Sequence, residues 1–107
     1  MTKENFEENK QYRTLATEFR GFDSDTVRVE VRFTRPSAMM CDRMMKEMTK
    51  SSSKAFRNLL FSAVHPDDRG ALDSAIEQYP GVLITFGNEL LERSGFSAEV
   101  VDKLGKL

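Results

Sequence analysis

Residues 26–33, TVRVEVRF, alternate apolar and polar side chains without interruption, and this constrains the fold more than any other stretch. A period of two puts Val27, Val29, Val31 and Phe33 on one face of a strand and Arg28, Glu30 and Arg32 on the other. A lone strand leaves its backbone N–H and C=O groups unpaired, so the chain must supply a partner. Residues 12–20 are the nearest candidate. Their apolar members Tyr12, Leu15, Ala16 and Phe19, with Phe22, also fit a helical stripe, but GFDSD between the two segments is a turn cluster, and a hairpin over residues 11–34 is the favoured reading.

Pro36 cannot donate to a ladder and ends the strand, and Ser37 is placed to cap a helix running to Met48. In KSSSK, Ser52 or Ser53 is expected to cap a second helix, KAFRNLLFSAV. In HPDD, Pro66 suits a first helical position, and Asp67 and Asp68 complement the positive end of a helix dipole. The third helix carries Leu72, Ala75, Ile76 and Tyr79 on one side. YPG should stop it in a type II turn. A fourth helix, VLITFGNELLERS, has an apolar face of Val82, Leu83, Ile84, Phe86, Leu90 and Leu91. Gly87 within it implies close helix packing, Gly95 suits the position after a helix end, and Ser97 can cap a short last helix over 98–107. The expected fold class is α+β: an N-terminal β-hairpin followed by a bundle of four to five short helices, in one domain spanning 1–107. Residues 1–10 form a polar terminus expected to fray. A chain of 107 residues is long enough to bury roughly two-thirds of its unfolded surface and needs no disulfide or metal to fold.

The first helix, AMMCDRMMKEM, holds five of the six methionines and the only cysteine. At about 100° per residue, Met40, Cys41, Met44, Met45 and Met48 span an arc of roughly 140°, opposite Asp42, Arg43, Lys46 and Glu47. Such an arc reads first as core, packed on the valine face of the hairpin. Methionine is also flexible and polarizable and serves surfaces that adapt to varied partners, so the edge at Met39, Met40 or Met44 is expected to stay open for a second chain.

Catalysis and cofactors find little footing. His65 stands near Asp67 and Asp68, but no second cluster completes a metal site. Cys41 lies among apolar residues with no base beside it and reads as a small hydrophobe. We therefore expect no catalytic, metal or cofactor-binding residues. No run approaches the ~18 apolar residues of a membrane span, no secretory leader is evident, and a cytoplasmic protein is expected. The formal net charge is −1, so nothing draws the whole chain to nucleic acid, although residues 1–57 carry +3 and residues 58–107 carry −4, a split that favours self-association.

Two families share parts of this pattern. Residues 27–64, a short alternating strand, a helix, a serine-rich turn and a capped helix, resemble the ribbon-helix-helix repressors, which insert strand side chains into the major groove. Arg28, Glu30 and Arg32 would then face DNA with Ser53 near phosphate; Glu30 in mid-surface and some forty further residues argue against it. The wider resemblance covers residues 27–96. A charged strand ending in RFTRPS, a helix, NLLFSAV, HPDDRGALDSAIEQYPG and GNELLERSGF are similar in order to the small tail assembly chaperones of long-tailed bacteriophages and prophages. Arg35, Pro36, Leu59, Leu60, Pro80, Gly81, Asn88, Glu89 and Gly95 carry the match. That resemblance implies a non-catalytic protein of the host cytoplasm, absent from the finished virion, which self-associates, coats the tape measure protein and helps bring tail tube proteins to it. It also implies a longer frameshifted form, of which a chain ending in DKLGKL would be the shorter product. The residues expected to contact partners are Met39, Met40, Met44, Arg28, Glu30, Arg32 and Arg35. The two readings separate in solution: a repressor gives a dimer whose DNA affinity falls steeply with salt, measurable by fluorescence anisotropy on duplex DNA, and a chaperone gives no such salt-dependent binding.

Overall fold

A computed structural model describes residues 11–97 and Glu99. The elements run β1 (Arg13–Arg20), β2 (Thr26–Phe33), α1 (Ala38–Met48), α2 (Ser52–Ala63), a 3-10 turn (Pro66–Asp68), α3 (Arg69–Gln78) and α4 (Gly81–Arg93). This is the α+β hairpin-and-helices arrangement that the alternation and the helix signals imply. The N-terminal segment 1–10 and, apart from Glu99, the expected last helix over 98–107 lie outside the described residues.

The strands pair antiparallel from Arg13 opposite Phe33 to Arg20 opposite Thr26. Leu15, Val31 and Phe33 are buried at the base of the inner face, whereas Val27 and Val29 nearer the turn are only half-buried. Helices therefore cover the root of the hairpin more fully than its tip. The turn is closed by Gly21 N–H donating to the Asp25 carbonyl at 2.8 Å and Ser24 N–H to the Gly21 carbonyl at 3.0 Å. A Cβ on Gly21 would lie 2.7 Å from Val27 Cγ2 and 2.9 Å from the Tyr79 hydroxyl, so the chain can pass there only without a side chain.

Below the strands, the end of α2 turns back along the free edge of β2. Thr34 N–H donates to the Ala63 carbonyl at 2.9 Å and His65 N–H to the Arg32 carbonyl at 2.8 Å, with Phe33 and Val64 forming an isolated bridge. Phe33 meets Phe86 of α4 at 5.5 Å between ring centres, which ties the sheet to the helices.

Ser37 caps α1 as its position predicts, its hydroxyl accepting from Met40 N–H at 3.1 Å. The helix does not lie on the valine face, however. It packs on α2, while α4 lies against β1 and α3 against β2. The short connection from Met48 to Ser52 keeps the two helices neighbours, and Met44 and Met48 are buried on the face of α1 that packs on α2. The second cap also differs from expectation. Lys50 and Ser51 N–H both bond to the Glu47 carbonyl at 2.9 Å, so α1 closes late and it is Ser51, not Ser52 or Ser53, whose hydroxyl accepts from Lys54 N–H at 3.3 Å.

Nor does YPG form a type II turn. Pro80 is right-handed (φ −55°, ψ −26°) and leads directly into α4, the change of direction being taken by Tyr79 at φ −135°, ψ 85°. A residue before proline is pushed out of the helical region, which confines the break to one position. Ile84 lies just past the edge of the buried arc of α4 and is 41% exposed. Gly95 ends the helix as expected at φ +99°, with its N–H on the Glu92 carbonyl at 3.1 Å and Phe96 N–H on the Leu91 carbonyl at 3.0 Å, a Schellman motif.

Gly87 is the contact point between α2 and α4. A Cβ there would run into the ring of Phe56, with Cε1 at 2.9 Å, and Phe56 is fully buried. Overpacking costs about 1–3 kcal/mol against a helix-propensity gain of about 1 kcal/mol for Gly to Ala. Gly87→Ala should therefore destabilise the fold, whereas Gly70→Ala, which meets nothing within 4 Å, should stabilise it. Urea unfolding of both variants checks the opposite signs.

Candidate interaction surface

At the exposed end of the hairpin, Phe22 is 95% exposed. Leaving a phenylalanine in water forgoes about 1.5–3 kcal/mol of burial. Beside it runs a groove of about 570 Å³ between the hairpin tip and the α3–α4 junction, walled by Phe19, Arg20, Tyr79, Pro80 and Val82, with no carboxylate among the described residues that line it. The wall is held by local constraints: Phe19 and Tyr79 meet edge to face at 5.0 Å, and Gly21 lets the Tyr79 hydroxyl approach the strand. An apolar knob next to an apolar slot suits the capture of another chain's side chains. Sequence reasoning had placed Phe22 only in a turn or on an alternative helical stripe. The available signal was its company, since a phenylalanine among Gly, Asp and Ser in a turn has no neighbours of its own kind to pack with.

The residues expected to contact partners fall in different surroundings. Met39 is 79% exposed and Met40 half-buried, so this edge of α1 is open. Met44 is not: at 1% exposure it belongs to the core beside Met48, because the centre of the arc faces α2. Met45, assigned to the same arc, is 40% exposed. Partial burial pushes the Cys41 thiol up, against the opposing pull of a hydrogen bond with the Ser94 side chain, which keeps it protonated at neutral pH.

On the outer face of the hairpin, Arg28 Nε bonds Glu30 at 2.7 Å and Arg28 Nη1 bonds Glu18 at 3.3 Å, and these carboxylates hold the guanidinium above its ordinary value. Arg28 and Glu30 thus neutralise each other on the surface. Arg32 is not free for a partner. Its Nε and Nη2 bond the two Asp68 oxygens at 2.9 and 2.8 Å, and its backbone N–H adds a third bond at 2.8 Å, joining β2 to the 3-10 turn. His65, at the start of that turn, accepts from Asp67 N–H through Nδ1 at 3.1 Å and packs on Tyr12. Arg35 is exposed and lines a second groove at the base of the hairpin.

Among the described residues no cluster of three His, Cys, Asp or Glu is placed to hold a metal. No helix of the described residues is long and apolar enough to cross a membrane.

A two-stranded hairpin rooted in four helices, with bare apolar residues at its tip, defines a small α+β protein. The chain belongs to the family described as a domain of unknown function, DUF6848, whose model matches residues 2–103. Its structure is similar to that of the uncharacterised protein rbstp2171 from Bacillus stearothermophilus, with a TM-score of 0.70 and 26% identity over 91% of this chain and 95% of that one. No curated protein matches the sequence.

The Arg32 guanidinium, through its hydrogen bonds and then its charge, pulls the Asp68 carboxyl down to about 2. A depressed carboxylate stabilises the fold above its unfolded value near 3.9, and that stabilisation fades as pH falls from there through about 2. Asp68→Asn should cost about 1–3 kcal/mol at neutral pH. It should also flatten the loss of stability between roughly pH 4 and 2, measured by chemical denaturation across that range.

Proposed function

We propose that this protein is a non-catalytic tail assembly chaperone of the long-tailed phage or prophage type, which self-associates and binds the tape measure protein during assembly. The observation that carries the reading is Phe22, 95% exposed on the rim of an apolar groove. A long helical polypeptide with apolar stripes would aggregate unless its stripes were covered, and a chaperone for it needs apolar contacts of modest affinity that tube subunits can later displace. Phe22 with its groove, and the open Met39 edge of α1, are contacts of that kind. Among the described residues no strand pairs with the outer edge of β1, which adds a place where a neighbouring strand can pair.

The positions that carry the resemblance have physical roles compatible with it. Leu59 and Leu60 are fully buried, Gly95 makes the left-handed cap, and Pro80 sets the α3–α4 junction that walls the groove. In this reading the protein works in the host cytoplasm, contacts tape measure and tail tube proteins, and is left out of the virion. A ribbon-helix-helix role would need β2 free to pair with a second copy and Arg32 free to reach a base; β2 is paired with β1, and Arg32 with Asp68.

The test is light scattering over a concentration series together with co-expression of a tape measure chain from the same gene cluster. Self-association and a larger soluble fraction of the long chain are expected. Phe22→Ser should weaken both while leaving the unfolding free energy within about 0.5 kcal/mol of wild type, since its ring is 95% exposed. A protein that stays monomeric at every concentration and leaves the tape measure chain insoluble would overturn the proposal.

A further inference from the structure

The groove that contains Arg35 has a chemistry of its own. It spans about 630 Å³ at the base of the hairpin, between the start of β1, the β2–α1 connection and the end of α4. Arg13, Arg35 and Arg93 line it above the buried Leu15, Phe33 and Leu90, and among the described residues no Asp or Glu lines it. In a chain of net charge −1 this is a local concentration of positive charge. Little of that charge is neutralised. Among the described residues Arg13 donates to neutral acceptors alone, the Tyr12 carbonyl at 3.0 Å and the Gln11 side chain at 3.4 Å. Among the same residues Arg35 makes no ion pair, and Arg93 bonds Glu89 through Nε at 2.7 Å, with no acceptor for its two terminal nitrogens. The negative end of α4 nearby is muted, because its last carbonyls are taken up by the Schellman motif and by Ser94.

We propose that this groove is a docking site for an acidic peptide segment of a partner protein, with Arg13, Arg35 and Arg93 holding its carboxylates. Guanidinium groups bind carboxylates through paired N–H···O bonds. Three guanidinium groups gathered in one groove are not the continuous basic track that nucleic acid calls for, and the outer face of the hairpin is neutralised by Glu18 and Glu30. The site stands on observations independent of the tail-assembly reading and survives if that reading fails.

The probe is a fluorescein-labelled octapeptide alternating glutamate and glycine, titrated with the full-length protein and followed by anisotropy. Saturable binding that weakens with salt is expected. Arg35→Glu, at an exposed position, should weaken it about tenfold or more, while Lys50→Glu, the same charge change at the far end of α1, should stay within about twofold. A melting curve for each variant separates lost binding from lost fold. Three results would overturn the proposal: no saturable binding, equal loss in the two variants, or tighter binding of a single-stranded oligonucleotide of equal charge. Binding that emerges only after Glu4, Glu7 and Glu8 are changed to glutamine would give the groove to the chain's own first residues and would equally end the assignment to a partner.

Discussion

A hairpin of two eight-residue strands is marginal in water by itself, and everything in this fold follows from how its apolar face is covered. The cover is fastened at Phe33, whose ring meets Phe86 of α4 while its backbone bridges to Val64 at the end of α2. Three elements distant in sequence thus converge on one residue. Beside it, the fork of bonds between Arg32 and Asp68 closes the edge of β2, so that a polar residue of the strand's outer face becomes part of the structure's frame.

The helices must come close together to make this cover. Gly87 allows that by letting the fully buried Phe56 ring lie directly on the α4 backbone. Short links between successive helices then force neighbours in sequence to be neighbours in space, and α1 is spent on α2 rather than on the sheet. α3 and α4 lie against the strands and the end of α2 against the edge of β2, and this cover thins toward the turn. The burial of the inner face fades from Phe33 and Val31 to the half-buried Val29 and Val27 and ends at the exposed Phe22. The apolar surface offered to other molecules is in this sense a remainder, set by the ratio of strand length to helical cover. The arginine-lined groove arises in a related way, where the ends of three elements meet and none brings a carboxylate to the lining.

Much of the fold is legible in one dimension. The alternation of residues 26–33 fixes which side chains face in, since a slip of one residue would turn the valines to water. Ser37 at the start of α1 and Gly95 at the end of α4 follow from backbone chemistry that acts within a few residues. Gly87 announces a close contact, though not that Phe56 makes it. Where two local solutions compete, the pattern is silent. Ser51, Ser52 and Ser53 are equivalent as letters, and the choice depends on how α1 closes on the Glu47 carbonyl. Pro80 and Gly81 suit a turn as well as a helix start, and the helix prevails because Val82, Leu83 and Phe86 then become buried.

The candidate surfaces were less legible for the same reason. The period of α1 identifies an apolar arc but not what lies against it, so Met44 and Met39 look alike until α2 is in place, when one is buried and the other left out. Arg28, Glu30 and Arg32 form a uniform row along the strand, yet Asp68, 36 positions away from Arg32, removes one of them from the surface. The sequence by itself determined the hairpin, its inward face, and the helices that follow with most of their ends, because those depend on side-chain periodicity and on hydrogen bonds between near neighbours. Tertiary structure alone decided which apolar residues stay in water and which charges stay unpaired, because exposure and pairing depend on what arrives from elsewhere in the chain.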